Sequence, residues 1–305
     1  GSGGGRGAKC DACGSSASYS ETVATSPSGH LKRTITTNGC PNHYSFCTGK
    51  SGISGCGGIG QAGSETEARE KSTAKDIPAM PVIANTPTDI ECHPGEVAIA
   101  LNGVSIYSGW VSPVCNLLNV TDPTAEWQSF DYCSGHAQQQ GQYHYHFPPS
   151  CLIAQATATN PTLDGHSPQL GWSYDGFPVY GPLGPGGNRM LSQPCSGSYC
   201  LDECGGHRRD LPGLDGFRYR YYLTGDPSDL HTLPSSPRPL PIDYPFTLKC
   251  WRGCIWEDLL AGLCSGESGV LSGFNAEPRS GYTNRFVSTA DSSGKCPASG
   301  GGGGA

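Results

Sequence analysis

The run of the chain with the most evident chemistry is Tyr143-His144-Tyr145-His146. Side chains alternate on a strand, so His144 and His146 point to one face and Tyr143 and Tyr145 to the other. His136 stands a short distance earlier, across a turn containing Gln138, Gln139 and Gln140, and can fold back beside them. Three imidazoles suit Zn²⁺ or Cu²⁺. Asp131 is placed to hold one ring through its second nitrogen, and Asp202 occupies the matching place ahead of His207, a candidate fourth ligand. The same residues support a plainer reading: each ring donates to a backbone carbonyl, and the Asp-x-Cys-x-Gly-His loops are stapled turns whose Asp caps local amides.

Cysteine is the second chemical signal. Sixteen are present: Cys10, Cys13, Cys40, Cys47, Cys56, Cys92, Cys115, Cys133, Cys151, Cys195, Cys200, Cys204, Cys250, Cys254, Cys264 and Cys296. A reducing cytosol rarely tolerates so many, and the even number permits complete pairing, so disulfides and an extracellular destination are expected. The spacings Cys10-x-x-Cys13 and Cys250-x-x-x-Cys254 also suit zinc or redox work, but no βαβ pattern surrounds them. Spacing leaves the connectivity open. No signal peptide stands at Gly1, so the sequence reads as mature or as incomplete at its start. Asn119-Val120-Thr121 is an acceptor motif for N-linked glycan, which agrees with secretion.

Other chemistries lack their signatures. There is no Gly-x-Ser-x-Gly, no Gly-x-x-x-x-Gly-Lys and no His-Glu-x-x-His, so hydrolase, nucleotide-binding and zinc-protease readings have no support. A formal net charge of −7 without a basic cluster argues against nucleic acid. No apolar run approaches the ~18 residues of a membrane span.

The elements that must position these residues are short strands between turns. Glycine (45) and proline (25) make up nearly a quarter of 305 residues, and sustained helical periodicity is missing. Val97–Leu101, Asn102-Gly103 and Val104–Tyr107 read as a hairpin with a two-residue type I′ turn, and Leu170–Tyr174, Asp175-Gly176 and Phe177–Tyr180 repeat that grammar. Pro178 is expected at an edge or outside the ladder. An Asp-x-Cys-x-Gly-His loop and a tyrosine-rich run follow each hairpin in the same order, about seventy residues apart, which implies an internal duplication. The expected fold is therefore mainly β: a disulfide-rich core of two similar units (about 96–151 and 169–225) packed face to face about a pseudo-twofold axis, with long loops and little helix. Residues 1–33 and 255–305 read as Gly/Ser-rich extensions of a 34–254 core, the second holding a helical turn or two within Ile255–Leu263. Ser64–Lys75 reads as a solvated loop or short exposed helix.

Several ordered motifs within residues 34–254 resemble the YHYH domain family. They are Asn38-Gly-Cys-Pro-Asn-His43, Leu101-Asn-Gly-Val104, Asp131-x-Cys133-x-Gly135-His136, Tyr143-His-Tyr-His146, Asp175-Gly-Phe-Pro-Val-Tyr-Gly-Pro182, Leu201-Asp-Glu-Cys-Gly-Gly-His207 and Cys250-Trp-Arg-Gly253. The resemblance implies a secreted protein and no particular reaction. One departure stands out: Tyr219-Arg220-Tyr221-Tyr222 has Arg and Tyr where a second pair of histidines could stand.

Two functions follow as expectations. One is a secreted structural protein whose partners are copies of itself in a homopolymer, a fibre or matrix, with glycans attached and a histidine-based metal site. In that reading the Gly3–Gly5 and Gly300–Gly304 runs order on neighbouring copies, because a free oligoglycine tail has nothing to fix it. The other is an extracellular copper or zinc enzyme or carrier using His136, His144 and His146.

Overall fold

A computed structural model describes residues 13, 17–43, 68–111, 116–117, 130, 133–138, 140–161, 164–211, 214–225 and 246–283. In chain order the first strands are β1 (Tyr19–Thr25), β2 (Leu31–Thr37), β3 (Thr73–Pro78), β4 (Val82–Asp89), β5 (Glu96–Ala100) and β6 (Ser105–Tyr107). Next come β7 (Trp110–Val111), β8 (Asn116–Leu117), β9 (Gly135–Ala137), β10 (Tyr143–Tyr145), helix α1 (Ser150–Thr159), β11 (Gln169–Ser173) and β12 (Pro178–Tyr180). The chain continues through β13 (Gly206–Arg208), β14 (Tyr219–Tyr222), β15 (Cys250–Gly253), helix α2 (Trp256–Leu260) and β16 (Gly266–Ser268). The fold is mainly β, as expected.

The centre is an eight-stranded sheet in the order β13-β14-β12-β11-β5-β6-β10-β9. From either edge inward the pairings run antiparallel, parallel, antiparallel, and the two halves join through the antiparallel β5–β11 pair. The two expected units therefore meet edge to edge in one sheet rather than face to face. Gly171 explains how they approach: a Cβ there would collide with the carbonyl oxygen of Ile99 across the seam.

Two three-stranded sheets, β1-β2-β3 and β15-β4-β16, supply apolar side chains to the same core. Ile35, Ile77 and Ile83 from them share a core cluster with Ile99, Leu170 and Trp172 of the central sheet and Phe177 of the β11–β12 connection. A buried polar lock joins the layers. Glu21 of β1 pairs with Arg33 of β2, accepts the Trp172 indole N–H at 2.7 Å and accepts the Arg279 amide at 2.9 Å. Arg33 lies over the Trp172 ring at 4.0 Å. Residues 17–33 and 266–282, placed by sequence in the terminal extensions, thus contribute strands or core contacts; the two oligoglycine runs lie outside the described residues. Of Ser64–Lys75, the described part begins at Ala68, is a loop through Ser72 and then enters β3.

Two local expectations are corrected, and one helix is added. Both hairpins turn through three residues, not two: Gly103 N–H donates to Ala100 C=O and Gly176 N–H to Ser173 C=O. Only the glycine of each turn has positive φ, +86° in both cases, whereas a type I′ turn would need it at Asn102 and Asp175 as well. The buried Asn102 and Asp175 side chains explain the choice, since each bonds strand residues beyond the turn. Pro178 begins an interior strand, where its missing N–H leaves the ladder intact because the parallel pairing with β14 starts at Val179. Helix α1 was not anticipated: it has no side-chain cap at Pro149 and no charged residue at either end, so nothing announces it in sequence. Helix α2 falls within the expected 255–263 stretch.

Five disulfides join described cysteines: Cys13–Cys40, Cys133–Cys151, Cys195–Cys200, Cys204–Cys250 and Cys254–Cys264. Cys92 is also disulfide-bonded, and no described cysteine is free. Cys10, Cys47, Cys56, Cys115 and Cys296 lie outside the described residues.

Candidate metal centre

His136 on β9 and His144 on β10 are direct cross-strand partners, which puts their side chains on one face. His146 follows two residues on, and its ring turns back to that face. The three side chains are 2 %, 1 % and 2 % exposed. Their Nε2 atoms converge: His136 Nε2 is 2.9 Å from His144 Nε2, which is 3.1 Å from His146 Nε2, and one ligand atom from each ring lies within 4.8 Å of the others. A tetrahedral ion with metal–nitrogen bonds near 2.0–2.1 Å spaces its nitrogens about 3.3 Å apart.

The other ring nitrogens decide what those Nε2 atoms are. His144 Nδ1 is 3.1 Å from the Gln142 carbonyl oxygen and His146 Nδ1 is 2.8 Å from that of Ser108. A carbonyl only accepts, so both Nδ1 atoms carry the proton, and an imidazole neutral in that tautomer presents a bare Nε2 lone pair. Two lone pairs facing each other at this distance repel. A cation between them turns the repulsion into coordination, and orientation by carbonyls is the usual second support of a ligating imidazole. Burial pushes the pKa of His144 well below the ordinary histidine value, with His136 and His146 adding to the effect, so this ring is neutral, the form a metal requires.

Aromatic walls close the site. Tyr107, at the end of β6, stacks on His144 with centroids 3.9 Å apart, and Phe130 meets His136 edge-on at 4.9 Å. Tyr143 and Tyr145 leave the opposite face for the main core. Gly135 makes this possible, because the Tyr143 hydroxyl fills the place of its Cβ.

His207 is not a fourth ligand. It lies on β13, at the opposite edge of the eight-stranded sheet from β9, because units joined edge to edge carry their equivalent loops to opposite ends. Asp202 holds no imidazole: its Oδ1 accepts the Cys204 and Gly206 amides, each at 3.0 Å, and the Tyr219 hydroxyl at 3.1 Å. It is the amide cap of the plainer reading. Asp131 and Asn119 lie outside the described residues.

Two histidines without an assigned role in the sequence turn out to fix tyrosines. His43 Nε2 is 2.8 Å from the Tyr145 hydroxyl, which also accepts from Asn102 Nδ2 at 3.0 Å. His166 Nε2 is 2.8 Å from the Tyr222 hydroxyl. The Asn38–His43 motif was the available signal for the first; nothing marked the second.

The sequence model of a family described as YHYH protein matches residues 74–189. That stretch contains all three clustered histidines, and the match bears out the resemblance read from the motifs. Neither the curated proteins nor the solved structures give a match.

Proposed function

We propose, with the YHYH-family match over residues 74–189 as premise, that this is a secreted, disulfide-hardened structural protein holding one zinc or copper ion on His136, His144 and His146. The observation that carries the metal is the pair of carbonyl-held Nδ1 protons, which leaves Nε2 lone pairs aimed at a common point. Imidazole donors suit both metals. The enclosure of the rings favours an ion that ties β9, β10 and the end of β6 together. Catalysis would need a coordination position open to substrate, and the described surroundings are aromatic walls. An extracellular compartment is supported by the five described disulfides and the family match.

Metal analysis of protein purified from its native source tests the site. About one equivalent of zinc or copper is expected, falling below about a tenth in His144→Ala, because two imidazoles hold such an ion poorly. Native protein with less than that tenth would overturn the reading. Assembly into a fibre or matrix is tested separately by electron microscopy of native material: filaments are expected, and a monodisperse monomer would refute it.

A further inference from the structure

The second half of the central sheet has an interior position equivalent to the histidine cluster, and a different group fills it. Arg220 of β14 faces His207 of β13 across the ladder as His144 of β10 faces His136 of β9. The neighbours match too. Tyr219 and Tyr221 enter the same core as Tyr143 and Tyr145, and the Tyr219 hydroxyl fills the Cβ place of Gly206 as that of Tyr143 fills the place of Gly135. Tyr180 ends β12 as Tyr107 ends β6, and Tyr222 stands two residues after Arg220 as His146 stands after His144.

The Arg220 side chain is fully buried and its donors are engaged. Nη2 donates to Asp215 Oδ1 at 2.8 Å and to the Phe217 carbonyl at 2.6 Å, Nε to Asp215 Oδ2 at 3.1 Å, and Nη1 to the Arg209 carbonyl at 2.7 Å. Tyr180 donates its hydroxyl to Asp215 Oδ2 at 2.8 Å. A buried two-point pair with two further carbonyls accepting from the guanidinium is a stable way to keep a positive charge inside a sheet.

We infer that the Arg220 guanidinium, closed by Asp215, occupies in the second half of the sheet the place a metal ion takes in the first, so that among the described residues the central sheet carries an ion at one edge only and depends on it there. The inference rests on the three-histidine reading above. Its consequence is an asymmetry between two otherwise similar edges. The Arg220–Asp215 pair at the β13–β14 edge is made by groups of the chain itself, whereas at the β9–β10 edge an ion shared by the three imidazoles adds to the Cys133–Cys151 tie.

The double variant Arg220→His, Tyr222→His tests this directly, since with His207 it sets three imidazoles at the spacing of the natural site and leaves Asp215 as a further donor. After loading with zinc alone and removal of excess, wild-type full chain is expected to hold about one equivalent and the double variant about two. A folded double variant that stays at one overturns the inference, as does wild type holding two; wild type holding none overturns the site reading instead. Hydrogen exchange of wild type, with and without a chelator, decides the matter should the variant not fold. Chelation is expected to speed exchange about tenfold in residues 135–146 and to leave 206–222 unchanged. Equal acceleration in both segments, or in neither, overturns the inference.

Discussion

Glu96 collects donors from four other segments. Its Oε1 accepts from Ser105 at 2.8 Å and Gln142 at 2.6 Å, and its Oε2 from Tyr174 at 2.7 Å and Lys75 at 3.1 Å. Burial alone would raise its pKa, but the hydrogen bonds from Tyr174 and Ser105 and the Lys75 charge outweigh burial and hold it below the usual glutamate value. A folded-state pKa below the unfolded one means the stabilisation is complete above the unfolded value and is lost as pH falls through the folded one. Glu96→Gln should therefore cost about 1–3 kcal/mol at neutral pH, and the difference should vanish in acid as wild type itself loses the charge. Urea titrations across that range check it, and a pH-independent difference would refute the electrostatic cause. Nothing in sequence singles out Glu96, because its partners meet only in the fold. The histidine cluster was legible for the opposite reason: strand alternation puts His144 and His146 on one face, and a short turn brings His136 alongside. His207 was misplaced because sequence matched the loops of the two halves without saying which ends of a sheet they reach.

Among the elements, the strands were readable and their junctions were not. Asn102-Gly103 and Asp175-Gly176 marked both hairpins, yet the turn type followed from what buried Asn102 and Asp175 bond across the sheet, which no local pattern contains. Helix α1 has uncapped, uncharged ends and owes its place to Cys151, Leu152 and Ala156 packing against the core. The least legible junction was the β5–β11 seam, since a duplicated sequence is equally compatible with stacked sheets and with one continuous sheet. Gly171 pairs with Ala100 there. Because an added Cβ meets backbone, which cannot rotate aside, Gly171→Ala should destabilise by about 1–3 kcal/mol. Thermal or urea unfolding measures this, and an unchanged midpoint would show that the seam is looser than the geometry requires.

At the scale of the whole molecule, the disulfides repeat the two-edged plan of the sheet. Cys133–Cys151 fastens the loop before β9 to helix α1, and Cys204–Cys250 fastens the loop before β13 to β15. Each edge strand thus has a covalent tie behind it, and the abundance of cysteine announced such ties without their partners, because pairing is set by which loops the sheet carries together. Stabilisation by a cross-link grows with the chain it closes. Cys204–Cys250 spans 46 residues and Cys195–Cys200 spans 5. Loop-closure entropy then assigns about 4 kcal/mol to the first and about 2 kcal/mol to the second. Replacing both cysteines of each pair by serine, and comparing denaturant unfolding of the two double variants with wild type, should show the larger loss for Cys204/Cys250. Equal losses would mean that the unfolded chain already keeps β13 near β15, and that the tie acts on the native edge rather than on the freedom of the unfolded chain.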